Sequence, residues 1–138
     1  MSKNYKIIEQ KGENIGITTL IGRFAMSPEV IREMGGFPIL TSDKFHWWVA
    51  LDGKKVVSFA AIKVQAKSAV LTYAYTVPEH RRKGLHKRLL NERIQWAMAN
   101  GITILKADCT PASLPNFKKL GFTVIKEFTG WTKVEKKL

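Results

Sequence analysis

The stretch "VPEHRRKGLHKRLL", Val77 to Leu90, decides how the chain is read. Pro78 stops an alternating strand-like run, and an apolar-periodic helix opens shortly after Gly84. Five basic residues, Arg81, Arg82, Lys83, Lys87 and Arg88, crowd the junction. The first amides of a helix lack intrahelical partners, and its dipole adds partial positive charge there. The loop Arg81–His86 therefore suits a phosphate, and Gly84 permits close backbone approach. A nucleic-acid contact and a merely solvated helix face are the competing uses of the same cations.

Outward from this junction, "SAVLTYAYTV" (68–77) predicts a strand with Leu71, Tyr73, Tyr75 and Val77 on one face. A helix is expected over Lys83–Asn100, its apolar side formed by Leu85, Leu89, Leu90, Ile94, Ala97 and Met98, with Gly101 closing it. "ITILKADC" (102–109) reads as a buried strand, so strand, crossover helix and strand form a βαβ unit, whose strand ends are where α/β folds place ligands. "PASLPNFKKL" (111–120) predicts a broken helix. "FTVIKEF" and "GWTKVEK" predict a closing strand pair around Thr129-Gly130.

Toward the N-terminus, "KFHWWVALDGKKVVSFAAIKV" (44–64) predicts a hairpin about Asp52-Gly53. Before it lie a helix near Ile15–Phe24 and another over Ser27–Met34. Ser27 is the N-cap of the second, Pro28 its first residue, and Gly35-Gly36 its end. A short strand is expected at Lys6–Glu9. No repeat or linker interrupts the chain, so 1–138 is read as one domain of α/β class with a mixed (α+β) sheet.

The 138 residues are 45% hydrophobic, enough to supply one core. No run of roughly 18 apolar residues suggests a membrane span. "MSKNYKIIEQ" lacks the apolar stretch of a secretory signal, so a cytoplasmic location is expected. A single cysteine, Cys109, and three scattered histidines predict neither an internal disulfide nor a metal site. The net charge of +12 is uneven. Residues 1–44 carry six Lys/Arg against five Asp/Glu, and residues 45–138 carry seventeen against six. Such a field favours a polyanionic partner: a phosphorylated cofactor, a nucleic acid or an acidic protein.

"VPEHRRKGLHKRLL" resembles the acyl-CoA-binding motif of the GNAT superfamily, the GCN5-related N-acetyltransferases. The family pattern, Gln/Arg-x-x-Gly-x-Gly/Ala, falls on Arg81, Gly84 and His86. "NFKKLGF" (Asn116–Phe122) resembles the family's "FYEKLGF" segment, in which a helix packs beside the cofactor. The resemblance covers about residues 45–138 and implies a splayed mixed sheet with acetyl-CoA, or another acyl-CoA, in the opening. Its pyrophosphate would meet the amides of Arg82, Lys83, Gly84, Leu85, His86 and Lys87, with Arg81, Asn116 and Phe117 alongside. Amides of the Thr72–Val77 strand, Thr76 and Val77 among them, would hold the pantetheine and polarise the thioester carbonyl. An amine would then attack directly, with a backbone N–H aimed at the developing oxyanion.

Several positions depart from the pattern. His86 stands where the family prefers a small residue; its ring could narrow the loop, bond a phosphate or face solvent. Phe117 occupies the place of a frequent proton-donating tyrosine and has no proton to give, which leaves water, Thr110 or Ser113. The Val70–Val77 strand carries no carboxylate. Asp108 is therefore the candidate base, with a salt bridge or helix cap as its alternative role. Tyr75, and less so Tyr73, is a candidate to orient an acceptor or water. His46 is a further base candidate with packing as its alternative, and Cys109 a remote candidate for an acyl-cysteine.

The implied activity is N-acyl transfer to an amine. The basic surface disfavours cationic acceptors and favours acidic or nucleic-acid-linked ones. A second reading is a nucleobase modifier resembling the phage Mom-type enzymes, with Trp47, Trp48 or Trp131 as stacking platforms. A third is a non-catalytic module that holds nucleic acid or protein on its basic face. Many members of the family pair through their last strands, so "GWTKVEKKL" is a candidate homodimer contact.

Overall fold

A computed structural model describes residues 4–138. The strands are β1 (Lys6–Lys11), β2 (Phe45–Asp52), β3 (Lys55–Gln65), β4 (Ser68–Thr76), β5 (Ile104–Cys109), β6 (Thr123–Phe128) and β7 (Trp131–Lys137). The helices are α1 (Ile15–Ala25), α2 (Pro28–Glu33), α3 (Leu85–Ala99) and α4 (Leu114–Lys119), and a 3-10 turn spans Pro78–His80. All seven strands form one sheet in the order β1-β2-β3-β4-β5-β7-β6. The pair β4/β5 is parallel and every other pair antiparallel, so α3 is the crossover of a βαβ unit.

Local chemistry explains the boundaries. Gly53 (φ 62°) and Gly130 (φ 83°) take the left-handed conformation that the two hairpins require. The Ser27 hydroxyl accepts from the Val30 amide and Pro28 opens α2. Beyond its end, the Gly36 amide returns to Ile31 O (2.9 Å) while Gly35 and Gly36 both take positive φ. β1 runs two residues past the expected strand because Gln10 and Lys11 continue its pairing with Trp47 and His46.

The sheet carries a core on each face, and the one under α1 and α2 covers β1 to β4 only. Toward α3 and α4 it packs Trp48, Ile62, Leu71 and Leu105 against Leu89, Leu90, Ile94 and Phe117. Toward α1 and α2 it packs Trp47, Val49, Val57 and Phe59 against Ile17, Ile21, Phe24 and Val30. The adjacent Trp47 and Trp48 thus anchor opposite cores. Both have no exposed surface, so neither is a stacking platform.

Two expectations for the central elements are corrected. Leu71 does not share a face with Tyr73, Tyr75 and Val77: it enters the α3 core, and those three pack on the α1–α2 side. A bulge reverses the alternation, since Phe59 pairs with Tyr75 but Ala61 with Thr72, and Tyr73 sits at φ 54°. Met98 is also not core, being 56% exposed. Arg93 takes the core place between Leu89 and Ala97, one turn from each.

The bulge has a further effect. β4 pairs with β5 only from Ser68↔Ile104 to Leu71↔Ala107, and beyond that point the two strands part. This splay opens the sheet at the carboxyl end of β4, next to the start of α3. Arg93, 1% exposed, donates from Nη1 to Ala61 O (3.2 Å), at the position where the β3–β4 register slips, and from Nε to Leu89 O (3.3 Å). Burial lowers its pKa to about 9. A guanidinium in the core is thus held by carbonyl dipoles, one of them at a break in the ladder.

Candidate active site

A cavity of about 710 Å³ occupies the splay. One wall is Ala74, Tyr75 and Thr76 of β4; another is the loop and first turn of α3, with Arg81, Arg82, Gly84, Leu85, His86 and Lys87. Glu33 and Met34 from the end of α2, His80 and Asn116 complete it.

On the β4 wall, the Val77 amide donates to Val57 O on the β3 side (2.9 Å), whereas Thr76 O accepts from Arg81 Nε on the open side (2.9 Å). Amide direction alternates along a strand, so Tyr75 and Val77 face β3 while Ala74 and Thr76 face the cavity. Of the two amides expected to meet a cofactor, Thr76 is placed for it. Val77 is not, because its amide is engaged and its side chain buried. Ala74, within the Thr72–Val77 span expected to hold the pantetheine, lines the cavity beside Thr76, and the bulge register sets which of that span's amides face it.

On the opposite wall, Gly84 takes φ 80° as the residue before α3, and the Arg88 amide donates to Gly84 O (2.9 Å), closing the first turn. The amides that precede this bond lie at the end of a 15-residue helix. Amides at a helix start have no partner within the helix and suit an anion, the use expected of this loop from the sequence. Arg82 also takes positive φ (62°), which folds the loop back on itself. Lys83 is exposed on the loop and does not line the cavity.

His86 lies between the walls, its ring edge-on to Phe117 at 6.2 Å. Burial, and secondarily the Arg93 charge, lowers its pKa below 6.5, so it is neutral at pH 7. A histidine with a depressed folded-state pKa binds its proton less readily than the unfolded chain does. Stability from this group is therefore complete above about pH 6.5 and is lost as the pH falls below it. Urea unfolding of the wild type and His86→Gln at pH 7 and pH 5 checks this. The wild type should lose more stability on acidification than the variant; equal losses would show that His86 is not desolvated. Phe117 is buried beneath the wall and does not line the cavity.

Tyr75 packs its ring between Phe24 and Phe59, with the Arg81 guanidinium 5.6 Å from the ring centroid. Burial, then the Glu33 carboxylate, raises its pKa, with Arg81 partly offsetting, so the phenol keeps its proton at neutral pH. Tyr73 is turned elsewhere: it stacks on Trp47 (5.6 Å), and its hydroxyl ties down the segment before β2 through Pro38 O and the Leu40 amide.

The other candidates are not brought to the cavity. Asp108 is exposed on β5, cross-strand from Lys133, on the face opposite Ala107 and Cys109. Ser113 closes a turn, its hydroxyl accepting from the Thr110 amide at 3.0 Å. His46 stacks on Trp96 (4.7 Å) and meets Glu9 at 3.0 Å. Burial, then Asp108, raises the pKa of Cys109, so it remains a thiol and a poor nucleophile. The carboxylate that does line the cavity is Glu33, from a helix 48 residues away in sequence from its partner Arg81.

A cavity with outward amides on a parted strand and a cationic helix start opposite can hold an extended phosphorylated chain between them. The chain belongs to the acetyltransferase (GNAT) family, whose model matches residues 12–122. The family's cofactor is acetyl-CoA or another acyl-CoA. Solved structures share the fold. The ribosomal-protein-S18-alanine N-acetyltransferase from Escherichia coli is 17% identical, with TM-score 0.73, over 96% of this chain and 91% of that one. A PaiA N-acetyltransferase from Thermoplasma acidophilum, in complex with coenzyme A, is 17% identical with TM-score 0.68, over 98% and 99%. A GNAT-family acetyltransferase from Staphylococcus aureus is 13% identical with TM-score 0.73, over 98% and 99%. No curated protein sequence matches the chain significantly. No helix among the described residues is long and apolar enough to cross a membrane.

Proposed function

We propose that the chain is an acyl-CoA-dependent N-acyltransferase, with acetyl-CoA as donor and an amine on an acidic or nucleic-acid-linked molecule as acceptor. The observation that carries this reading is the placement of the Ala74 and Thr76 amides across one cavity from the start of α3. The diphosphate of the cofactor would lie on the amides of Arg82 to Lys87, with Arg81 and Asn116 at its sides. The open amides of β4 would take the pantetheine and the thioester oxygen. Fixed N–H dipoles stabilise the oxyanion as it forms, without reorganising. The amine nitrogen attacks the thioester carbon, the C–N bond forms, the C–S bond breaks, and the thiolate leaves. With no tyrosine at Phe117 it leaves to water, which a thiol of ordinary acidity tolerates.

The charge of the chain supports the choice of acceptor. Lys and Arg exceed Asp and Glu by twelve, a field that concentrates acidic molecules. The test is release of CoA thiol from acetyl-CoA with acidic, neutral and basic peptides bearing free α-amines, and with a 5′-amino DNA oligonucleotide. Acidic peptides or the oligonucleotide should show the higher kcat/KM, an advantage that salt reduces. Faster transfer to basic peptides would overturn the acceptor assignment. Binding of acetyl-CoA with no transfer to any amine would favour a non-catalytic module.

A further inference from the structure

Arg81 is held in two directions. Its Nε donates to Thr76 O at 2.9 Å, and its Nη2 to Glu33 Oε2 at 2.7 Å. The second bond ties the phosphate-side loop to the end of α2 across the cavity mouth. Glu33 is the one carboxylate among the described residues that line the cavity, and Tyr75 and Met34 lie on the same wall. Both side chains of the pair are about half exposed, so the bond is accessible to a competing anion.

We propose that Glu33 is the receptor for the acceptor's ammonium group, and that Arg81 masks it until the diphosphate of the cofactor draws Arg81 away. The inference rests on the reading of the cavity as an acyl-CoA site. A diphosphate offers a guanidinium more charge and more acceptor oxygens than one carboxylate does, so it wins Arg81. Glu33 then faces the cavity with its counter-ion gone, beside a phenol that keeps its proton. A primary ammonium supplies the missing charge. The carboxylate takes one proton from the ammonium, and the neutral nitrogen attacks the thioester. The second proton passes from nitrogen to the departing thiolate through water, and Glu33 returns its own proton to solvent. The Arg81–Glu33 bond thus keeps the acceptor's ammonium out until the diphosphate has broken it.

The sign of one measurement separates this role from a structural one. Free CoA is titrated calorimetrically into the wild type, Glu33→Ala and Glu33→Gln. Removing the competing carboxylate should tighten CoA binding, by about two- to fivefold for a half-exposed ion pair. If Glu33 instead holds Arg81 in place for the cofactor, both variants bind CoA more weakly. Weaker or unchanged binding overturns the proposal.

A second readout uses thermal unfolding with ethylammonium chloride against an equal concentration of tetramethylammonium chloride, which cannot donate a proton. Ethylammonium should stabilise the CoA-saturated wild type selectively, and neither the CoA-free protein nor Glu33→Ala. A shift of equal size in all three, or none, overturns the proposal. Failure of the wild type to bind CoA would instead overturn the underlying reading of the cavity.

Discussion

Gly84→Glu is expected to weaken acetyl-CoA binding by at least about 100-fold while leaving the fold intact. Gly84 lines the cavity at φ 80°, and a Cβ built on it meets nothing within 4 Å. The added side chain would therefore enter open space at the start of α3, not the core. Its carboxylate would sit among the amides that are to receive a diphosphate. Two opposite charges 4 Å apart near a protein surface attract by roughly 4 kcal/mol, and like charges repel by the same amount. The control is Gly84→Ala, which carries the left-handed strain of about 1–2 kcal/mol but no charge. Calorimetric titration should show alanine binding acetyl-CoA within a few-fold of wild type and glutamate not binding measurably. Equal affinities in the two variants would remove the loop from the cofactor site.

Gly12→Ala is expected to destabilise the protein by about 3 kcal/mol, the upper range for overpacking, because its new methyl would meet backbone. A Cβ at Gly12 overlaps the Ser42 carbonyl oxygen and lies 2.7 Å from Phe45 O and 2.8 Å from Phe45 Cβ. The site is also locked by hydrogen bonds. The Gly12 amide donates to Phe45 O (2.8 Å), and Thr41 Oγ1 donates to Gly12 O (2.8 Å) while accepting from Trp47 Nε1 (2.9 Å). Separating these groups disturbs the entry to β2 and the segment that Tyr73 ties down. Urea denaturation should show a lower midpoint with an unchanged slope, since the same surface is exposed on unfolding. A change below about 0.5 kcal/mol, the range of ordinary surface substitutions, would mean that the β1–β2 entry relaxes freely.

The order of elements was legible because its signals are local. Asp52-Gly53, Thr129-Gly130, Ser27-Pro28 and Gly101 each mark a boundary through the conformation of one or two residues, and the structure places turns, a cap and a helix end there. The loop before α3 was legible for the same reason: Pro78, Gly84 and the cations between them lie within seven residues, and the structure places a 3-10 turn and a helix start there. Residues whose position depends on tertiary register were not. The bulge at Tyr73 arises where β3 and β4 pair with unequal counts. It turns Leu71 away from Tyr75 and presents the amides of Ala74 and Thr76 to the cavity. Arg93 was not read as core: a charge in the buried stripe of α3 makes sense only beside the carbonyl of Ala61 at the register slip.

Glu33 was invisible to sequence reading because α2 meets the Arg81 loop only through the fold. Asp108 was chosen for its place at the end of β5, and alternation along that strand turns it to the exposed face. The C-terminal strand offers a related lesson. β7 lies between β5 and β6 with both edges paired, so "GWTKVEKKL" has no free edge for a second copy. The edge strands of the sheet are β1 and β6.

The central claim is that the splay between β4 and β5 holds acyl-CoA, and thermal unfolding tests it most directly. The purified protein is melted alone, with acetyl-CoA, with free CoA and with a short DNA duplex, each at low and moderate salt. A ligand bound only by the native state at about 100 times its Kd stabilises it by roughly 2.7 kcal/mol, a shift of several degrees in a domain of this size. The account predicts a rise with acetyl-CoA and with CoA that persists when salt is added. No response to either, together with a salt-sensitive response to the duplex, would contradict it and make Arg81, Arg82 and Lys83 a nucleic-acid contact.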